Sequence, residues 1–304
     1  MEPHRKKPEW LKIQPGGGQA YRKVARSIHH RQLHTVCEEA LCPNKGECFN
    51  QGTATFMILG KCCTRACRFC NVQSARQGEP LDENEPAQLA RAVGELELDY
   101  VVITSVDRDD LADLGAAHFA RTVRAIKAAN PQVIVEVLVP DFQGQKALIE
   151  TVLAAEPEVF GHNIETVARL TSSVRDPRAS YQVSLEVLAT AKSLSPQTYT
   201  KSSLLLGLGE TPAEIIQALT DLRAAAVDIV TLGQYLRPSR RHLAVTEYVT
   251  PAMFEEYAAA GKAMGFLYVA SGPLVRSSYR SGEFFIRHVL AQKAPGRERG
   301  GHEY

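Results

Sequence analysis

The sequence predicts an α/β fold: a partial (β/α)6 TIM-like barrel with an N-terminal cysteine-rich extension and a C-terminal extension. Three observations carry this expectation. The chain has 304 residues, enough for one large α/β unit with a sizeable core. It contains six short runs rich in Val, Ile and Leu, separated by longer stretches of helical period. The runs are apolar at successive positions rather than at alternate ones, as in strands buried on both faces, which implies a parallel sheet with right-handed crossovers.

Along the chain, residues 1–53 hold Pro3, Pro8, Pro15 and the Gly16-Gly17-Gly18 run, then a helical stretch over 21–33. They form an extension with little core of its own. Strands are predicted at 54–60, 100–106, 133–140, 159–164, 202–208 and 228–236, with a further candidate at 266–270. The clearest helix spans 211–226: Thr211 is the N-cap, Pro212 takes the first helical position, and Glu214 completes a capping box. Ile215, Leu219 and Leu222 then recur on one face. Another helix opens at Thr250 and Pro251 and stops near Gly261 or Gly265, because glycine takes the left-handed conformation that ends helices. The barrel is assigned to 54–272 and the C-terminal extension to 273–304, whose last part, 291–304, is an aperiodic tail expected to be mobile.

Thirty-five basic residues stand against thirty-four acidic ones, a formal charge of +1. No broad field exists to attract nucleic acid. The apolar runs fall far short of the roughly 20 residues that cross a bilayer, so no membrane partner is expected. The N-terminus is basic but has no apolar stretch behind it, which predicts a cytoplasmic protein; a monomer is the expected state.

Six of the seven cysteines form two triads. Cys37, Cys42 and Cys48 are spaced C-x4-C-x5-C; Cys63, Cys67 and Cys70 are spaced C-x3-C-x2-C and follow the first strand. Clustered, odd-numbered cysteines in such a chain favour metal ligation over disulfides. Structural zinc sites usually close with four ligands, often from two C-x2-C pairs, and neither triad has a fourth ligand at that spacing. Three thiolates on a 4Fe-4S cluster leave one iron open. An open iron can chelate the amino and carboxylate groups of S-adenosyl-L-methionine beside a reducible cluster. The second triad resembles the signature of the radical S-adenosylmethionine superfamily, whose barrels carry chemistry at the C-terminal ends of strands. Cys62 has the wrong spacing and reads as a buried thiol.

Over residues 12–279 the chain resembles the lipoyl synthase family. The strings that carry the resemblance are 37–48 (CEEALCPNKGEC), 54–60 (ATFMILG), 102–110 (VITSVDRDD), 162–167 (HNIETV), 207–210 (GLGE), 233–239 (GQYLRPS) and 276–279 (RSSY). Phe49 and Leu114 depart from it, since the family more often has Trp and Gly there. The resemblance implies two 4Fe-4S clusters. One is held by Cys63, Cys67 and Cys70; the auxiliary one is held by Cys37, Cys42, Cys48 and a serine of the C-terminal string, with Ser278 favoured over Ser277. It implies insertion of two sulfur atoms at C6 and C8 of an octanoyl-lysine on a lipoyl-carrier domain, of 2-oxoacid dehydrogenases or of the glycine cleavage H protein. The auxiliary cluster is the implied sulfur donor. Further implied partners are an electron donor such as flavodoxin or ferredoxin and an iron-sulfur carrier protein.

Candidate S-adenosylmethionine contacts are Thr104 and Ser105 after the second strand, Asn163 and Glu165 after the fourth, and Gln234 at the end of the sixth. Capping of the next segment is the rival reading for Thr104, Ser105 and Asn163. Arg276 is a candidate substrate contact, with an exposed structural arginine as the alternative. Two other classes compete: a paralogue inserting sulfur into a different substrate, which would not need the 37–48 string, and an electron-transfer protein, in which four-thiolate sites are expected.

Overall fold

The structure, a computed structural model, describes residues 7–13 and 15–278. Its strands in chain order are β1 (His34–Thr35), β2 (Thr55–Ile58), β3 (Cys62–Cys63), β4 (Gln73–Ser74), β5 (Tyr100–Ser105), β6 (Ile134–Leu138), β7 (Val159–Gly161), β8 (Tyr199–Leu206), β9 (Ile229–Gln234) and β10 (Tyr268–Gly272). The main sheet runs β1-β2-β5-β6-β7-β8-β9-β10, and every neighbouring pair from β2 to β10 is parallel. All residues of β2 and β9 are buried. Continuous apolar runs therefore become strands covered on both faces.

The six predicted strands are a minimum. The 266–270 candidate is a true seventh parallel strand, β10, paired with β9 from Tyr268↔Ile229 to Gly272↔Gly233. The N-terminal extension adds β1, antiparallel to β2 with His34 opposite Met57. Two residues carry too little pattern to announce a strand. β1 and β10 lie at opposite ends of the strand order, so the sheet is an open, partial barrel.

The helices are α1 (Gly18–His30), α2 (Val36–Glu39), α3 (Lys45–Asn50), α4 (Glu85–Glu95), α5 (Ala116–Ala129), α6 (Lys146–Leu153), α7 (Thr171–Val174), α8 (Tyr181–Leu194), α9 (Pro212–Ala224) and α10 (Pro251–Ala263). α9 carries the expected capping box: Glu214 N donates to Thr211 Oγ1 at 3.3 Å and Thr211 N donates to Glu214 Oε2 at 2.8 Å. Its Ile215, Ala218, Leu219 and Leu222 are buried. α10 starts on Thr250, whose hydroxyl accepts from Met253 N, and ends before Gly265, which has φ +87°. α1 begins three residues earlier than the 21–33 reading and stops at His30.

Inside the barrel, Lys201 and Glu136 are both almost fully buried and pair at 2.8 and 2.9 Å, with the Tyr100 hydroxyl also donating to Glu136. A buried pair of this kind is tolerated only when each charge is matched. Tyr100 opens β5, so this polar cluster sits toward the end of the barrel away from Ser105.

Candidate iron-sulfur and S-adenosylmethionine site

A cavity of about 480 Å³ lies at the C-terminal ends of the strands. Both cysteine triads line it, together with Thr104, Ser105, Asn163, Glu165, Gln234, Arg276, Ser277 and Ser278. Residues from the two ends of the described chain, Lys7 to Ser278, thus share one wall.

The loop bearing Cys63, Cys67 and Cys70 runs between β3 and β4, which pair in parallel. Backbone N–H groups point at its sulfurs: Arg65 N and Asp107 N to Cys63 Sγ at 3.4 and 3.3 Å, and Asp176 N to Cys67 Sγ at 3.3 Å. Arg65 fixes the loop. Its guanidinium meets Asp141 at 2.6 and 2.8 Å, Asp109 at 2.9 Å and Asp107 at 3.4 Å. Charge-assisted, forked bonds of this sort set geometry as well as energy. Arg178 adds bonds to Asp176 and to the carbonyl of Thr64.

All seven cysteines are free, and Cys62 is buried. Burial pushes the thiols of Cys37, Cys63, Cys67 and Cys70 up to about 12, and that of Cys42 upward. For Cys63 the Asp107 carboxylate raises it further. These are not activated nucleophiles, whose thiolates need a lowered pKa. Buried thiols with N–H groups aimed at sulfur are instead a donor set that takes a charge only opposite a cationic centre, and they fit soft iron. Among the described residues no three His, Cys, Asp or Glu side chains are grouped to hold a single metal ion. Thiolates on separate corners of a multi-iron cube stand wider apart than ligands of one ion.

The N-terminal triad sits on α2, α3 and the turn between them. Asn44 in that turn donates to the carbonyl of Leu274 at 2.7 Å, tying it to the C-terminal segment. That segment crosses the end of β9, where a Cβ on Gly233 would collide with the Val275 carbonyl oxygen; glycine is required there. Arg276 follows, half-buried, its pKa lowered by burial and partly restored by nearby Cys42. It is not the exposed structural arginine of the alternative reading. Tyr279 lies outside the described residues, as does the 291–304 tail.

The S-adenosylmethionine candidates divide. Gln234 is fully buried, and its amide is committed to the backbone: Nε2 donates to the carbonyls of Leu206, Tyr235 and Glu247, and Oε1 accepts from Val249 N. It braces the backbone at Glu247 and Val249. Thr104 Oγ1 is likewise given to the Leu138 carbonyl at 2.9 Å. Ser105 lines the cavity, and its Oγ is buried without a hydrogen-bond partner, an uncommon state for a buried hydroxyl. Asn163 caps no helix; its Nδ2 donates to Glu165 Oε1 at 3.0 Å. Glu165 is held at φ +65°, a strained conformation for a side-chain-bearing residue, and burial raises its carboxyl. His162 bridges the Val139 carbonyl and Ser184 Oγ, each at 2.9 Å, as a packing residue does. Sequence reasoning missed Arg65, Asp141 and Arg175 on the wall. Arg65 could have been suspected from its place inside the cysteine loop; the other two lie in stretches with no distinguishing pattern.

Fold and cysteine loop together define a class. A model of the radical SAM superfamily matches residues 57–222. Among solved structures, the FeFe-hydrogenase maturase HydG from Carboxydothermus hydrogenoformans shares the fold, with a TM-score of 0.55 at 12% identity, covering 77% of this chain and 65% of that one. A model of the N-terminal domain of lipoyl synthase matches residues 1–42. Lipoyl synthase from Anaeromyxobacter dehalogenans is 55% identical over 96% of this chain and 99% of its own. Mitochondrial lipoyl synthase from Populus trichocarpa is 52% identical over 93% of this chain and 75% of its own. The chain belongs to the lipoyl synthase family.

Proposed function

We propose that this chain inserts two sulfur atoms at C6 and C8 of a protein-bound octanoyl-lysine, using two 4Fe-4S clusters. In this reading Cys63, Cys67 and Cys70 hold the cluster that works with S-adenosylmethionine, and Cys37, Cys42, Cys48 and Ser278 hold the auxiliary one. The observation that carries it is the convergence of both triads and both serines on one cavity. When bound, these groups supply hydrogen-atom abstraction from unactivated C–H bonds and the sulfur that replaces the hydrogen.

The chain's own residues bind, orient and exclude water. Arg65 and its carboxylates hold the cysteine loop in one conformation. Ser105, Asn163 and Glu165 form a polar wall for S-adenosylmethionine, while Val36, Leu41, Met57, Leu138 and Leu205 form an apolar one suited to an octanoyl chain. Arg276, beside Cys42 and without a carboxylate partner among the described residues, balances charge at the auxiliary site and meets the substrate there. The partners are octanoylated lipoyl-carrier domains, a low-potential electron donor and an iron-sulfur carrier. No helix among the described residues is long and apolar enough to cross a membrane, and a reducing, cytoplasm-like compartment suits free cysteines.

The test is anaerobic incubation with S-adenosylmethionine, dithionite and an octanoyl-lysyl peptide, read by mass spectrometry. A lipoyl peptide together with 5′-deoxyadenosine is expected. Deoxyadenosine without sulfur insertion would point to the paralogue, and neither product would sink the reading.

A further inference from the structure

The outer side of the 63–70 loop carries a concentration of positive charge that the cavity does not use. Arg68 belongs to the loop itself, and Arg240 and Arg241 belong to the segment after β9, whose Arg237 lies nearer and lines the cavity. Arg68, Arg240 and Arg241 are exposed. Among the described residues no carboxylate pairs with any of the four; ion pairs around the loop go to Arg65 and Arg178. The donors of Arg68 and Arg237 go to carbonyl oxygens instead, of Ser173, Ser239 and Arg240. In a chain of net charge +1 this excess is a property of one face, not of the whole.

The face is also pre-organised and joined to the loop. Ser239 Oγ accepts from Arg241 N and pairs with His242 Nδ1 at 2.9 Å. His242 Nε2 donates to the Cys70 carbonyl at 3.0 Å, and Leu243 N donates to the Arg68 carbonyl at 3.2 Å. Thus a single imidazole separates the arginine turn from the backbone of a proposed cluster ligand. Arg68, Arg240, Arg241 and His242 are not on the cavity wall, whereas the exposed apolar residues Ile13 and Leu41 are. A partner that must deliver an acyl chain has to cover the side of Ile13 and Leu41. A partner on the arginine face needs only closeness to Cys70, which is the requirement of electron transfer.

We propose that Arg68, Arg240 and Arg241 form the docking face for an acidic one-electron carrier protein. The carrier gives up one electron, and the cluster on Cys63, Cys67 and Cys70 gains it. The inference rests on the reading of that loop as cluster-binding. Complementary charge at an exposed rim acts mainly through association rate and salt dependence.

The experiment compares the unaltered protein with R240E/R241E and with R68E, using a net-negative flavodoxin as probe. Binding is followed by flavin fluorescence at low and high salt. The unaltered protein should bind more weakly as salt rises; the double variant should bind about tenfold more weakly at low salt and lose most of the salt dependence. Deoxyadenosine formation driven by reduced flavodoxin should slow by a similar factor, while formation driven by dithionite stays within about twofold of the unaltered rate. R240Q/R241Q should fall between the two. Unchanged flavodoxin binding overturns the proposal, as does an equal loss with dithionite. Weakened binding of an octanoylated carrier domain, with flavodoxin binding intact, would assign the face to the acyl carrier and overturn it as well. Absence of dithionite-driven cleavage in the unaltered protein would instead remove the cluster reading on which the proposal stands.

Discussion

The two cysteine segments border one cavity but are anchored differently. The 63–70 loop is rooted in the barrel: Thr64 N donates to Asp107 O, Ala66 N to Asp176, and Arg68 N to Val174 O, while Arg65 gathers carboxylates that follow β5 and β6. The 37–48 segment is held where three distant stretches meet. β1 pairs with β2, Asn71 donates to the Glu39 carbonyl at 2.9 Å, and Asn44 reaches Leu274. Phe49 packs on Tyr21 within the extension itself. One cysteine triad is therefore placed by barrel folding, and the other is placed where the extension meets β2, the 63–70 loop region and the C-terminal segment.

The widest separation between the two should come from the ligands. Cys63→Ala, Cys67→Ala or Cys70→Ala should lower deoxyadenosine formation by more than about a hundredfold, the loss that outer-shell partners of metal sites alone can reach. Cys37→Ala, Cys42→Ala or Cys48→Ala should spare much of the cleavage and stop sulfur insertion. Iron analysis should fall from about eight per chain to about four in either set. Loss of cleavage in both sets alike would erase the distinction.

Arg65→Met probes the barrel anchorage. It leaves the nearly inaccessible Asp141 without its partner, a change worth about 3–5 kcal/mol. Urea unfolding should show that loss; a change under about 1 kcal/mol would mean that the network does not hold the loop.

Acid provides a test on the barrel side, at a buried histidine whose partners are the Val139 carbonyl and Ser184. Burial holds His162 down at about 4, below the ordinary 6.5. Between those values the unfolded chain binds the proton and the folded one does not, so stability is complete above pH 6.5 and is lost as pH falls toward 4. The loss amounts to about 3 kcal/mol. His162→Gln should flatten this part of the pH dependence in urea unfolding, measured as the difference from the unaltered protein. Equal acid sensitivity of the two proteins would refute it.

The smallest effect is expected from Asn44→Ala. Removing one hydrogen bond between the chain ends should cost about 1 kcal/mol, yet it should loosen the 37–48 segment selectively. Amide exchange should quicken there and not in the 63–70 loop, and iron should be lost preferentially from the N-terminal triad. Uniform exchange rates would show that the ends are held by something other than this contact.

Much of the fold is legible in the sequence. Strands buried on both faces announce themselves as continuous apolar runs, and the Thr211-Glu214 capping box is a local pattern that survives into the structure. The triads were equally plain, because ligand spacing within a loop is a short-range property. β10 was harder, since its Tyr268, Ser271 and Gly272 interrupt the apolar run. Leu114 shows another limit. It takes φ +51°, where the glycine more usual in the family would be unstrained, so the departure bears on the backbone, which the sequence alone does not reveal.

Composition and local pattern were enough to specify a parallel α/β barrel with two three-thiolate loops, because burial periodicity and ligand spacing are set by near neighbours. The aim of side chains was beyond them. Gln234 and Thr104 turn to the backbone while Ser105 Oγ stays buried and unpartnered; Arg276 comes to Cys42, and Lys201 finds Glu136 across the intervening β7. Each depends on strand register and on contacts between residues tens to hundreds of positions apart, and in a strand a shift of one residue reverses which face a side chain occupies. Only the tertiary arrangement chooses among those outcomes.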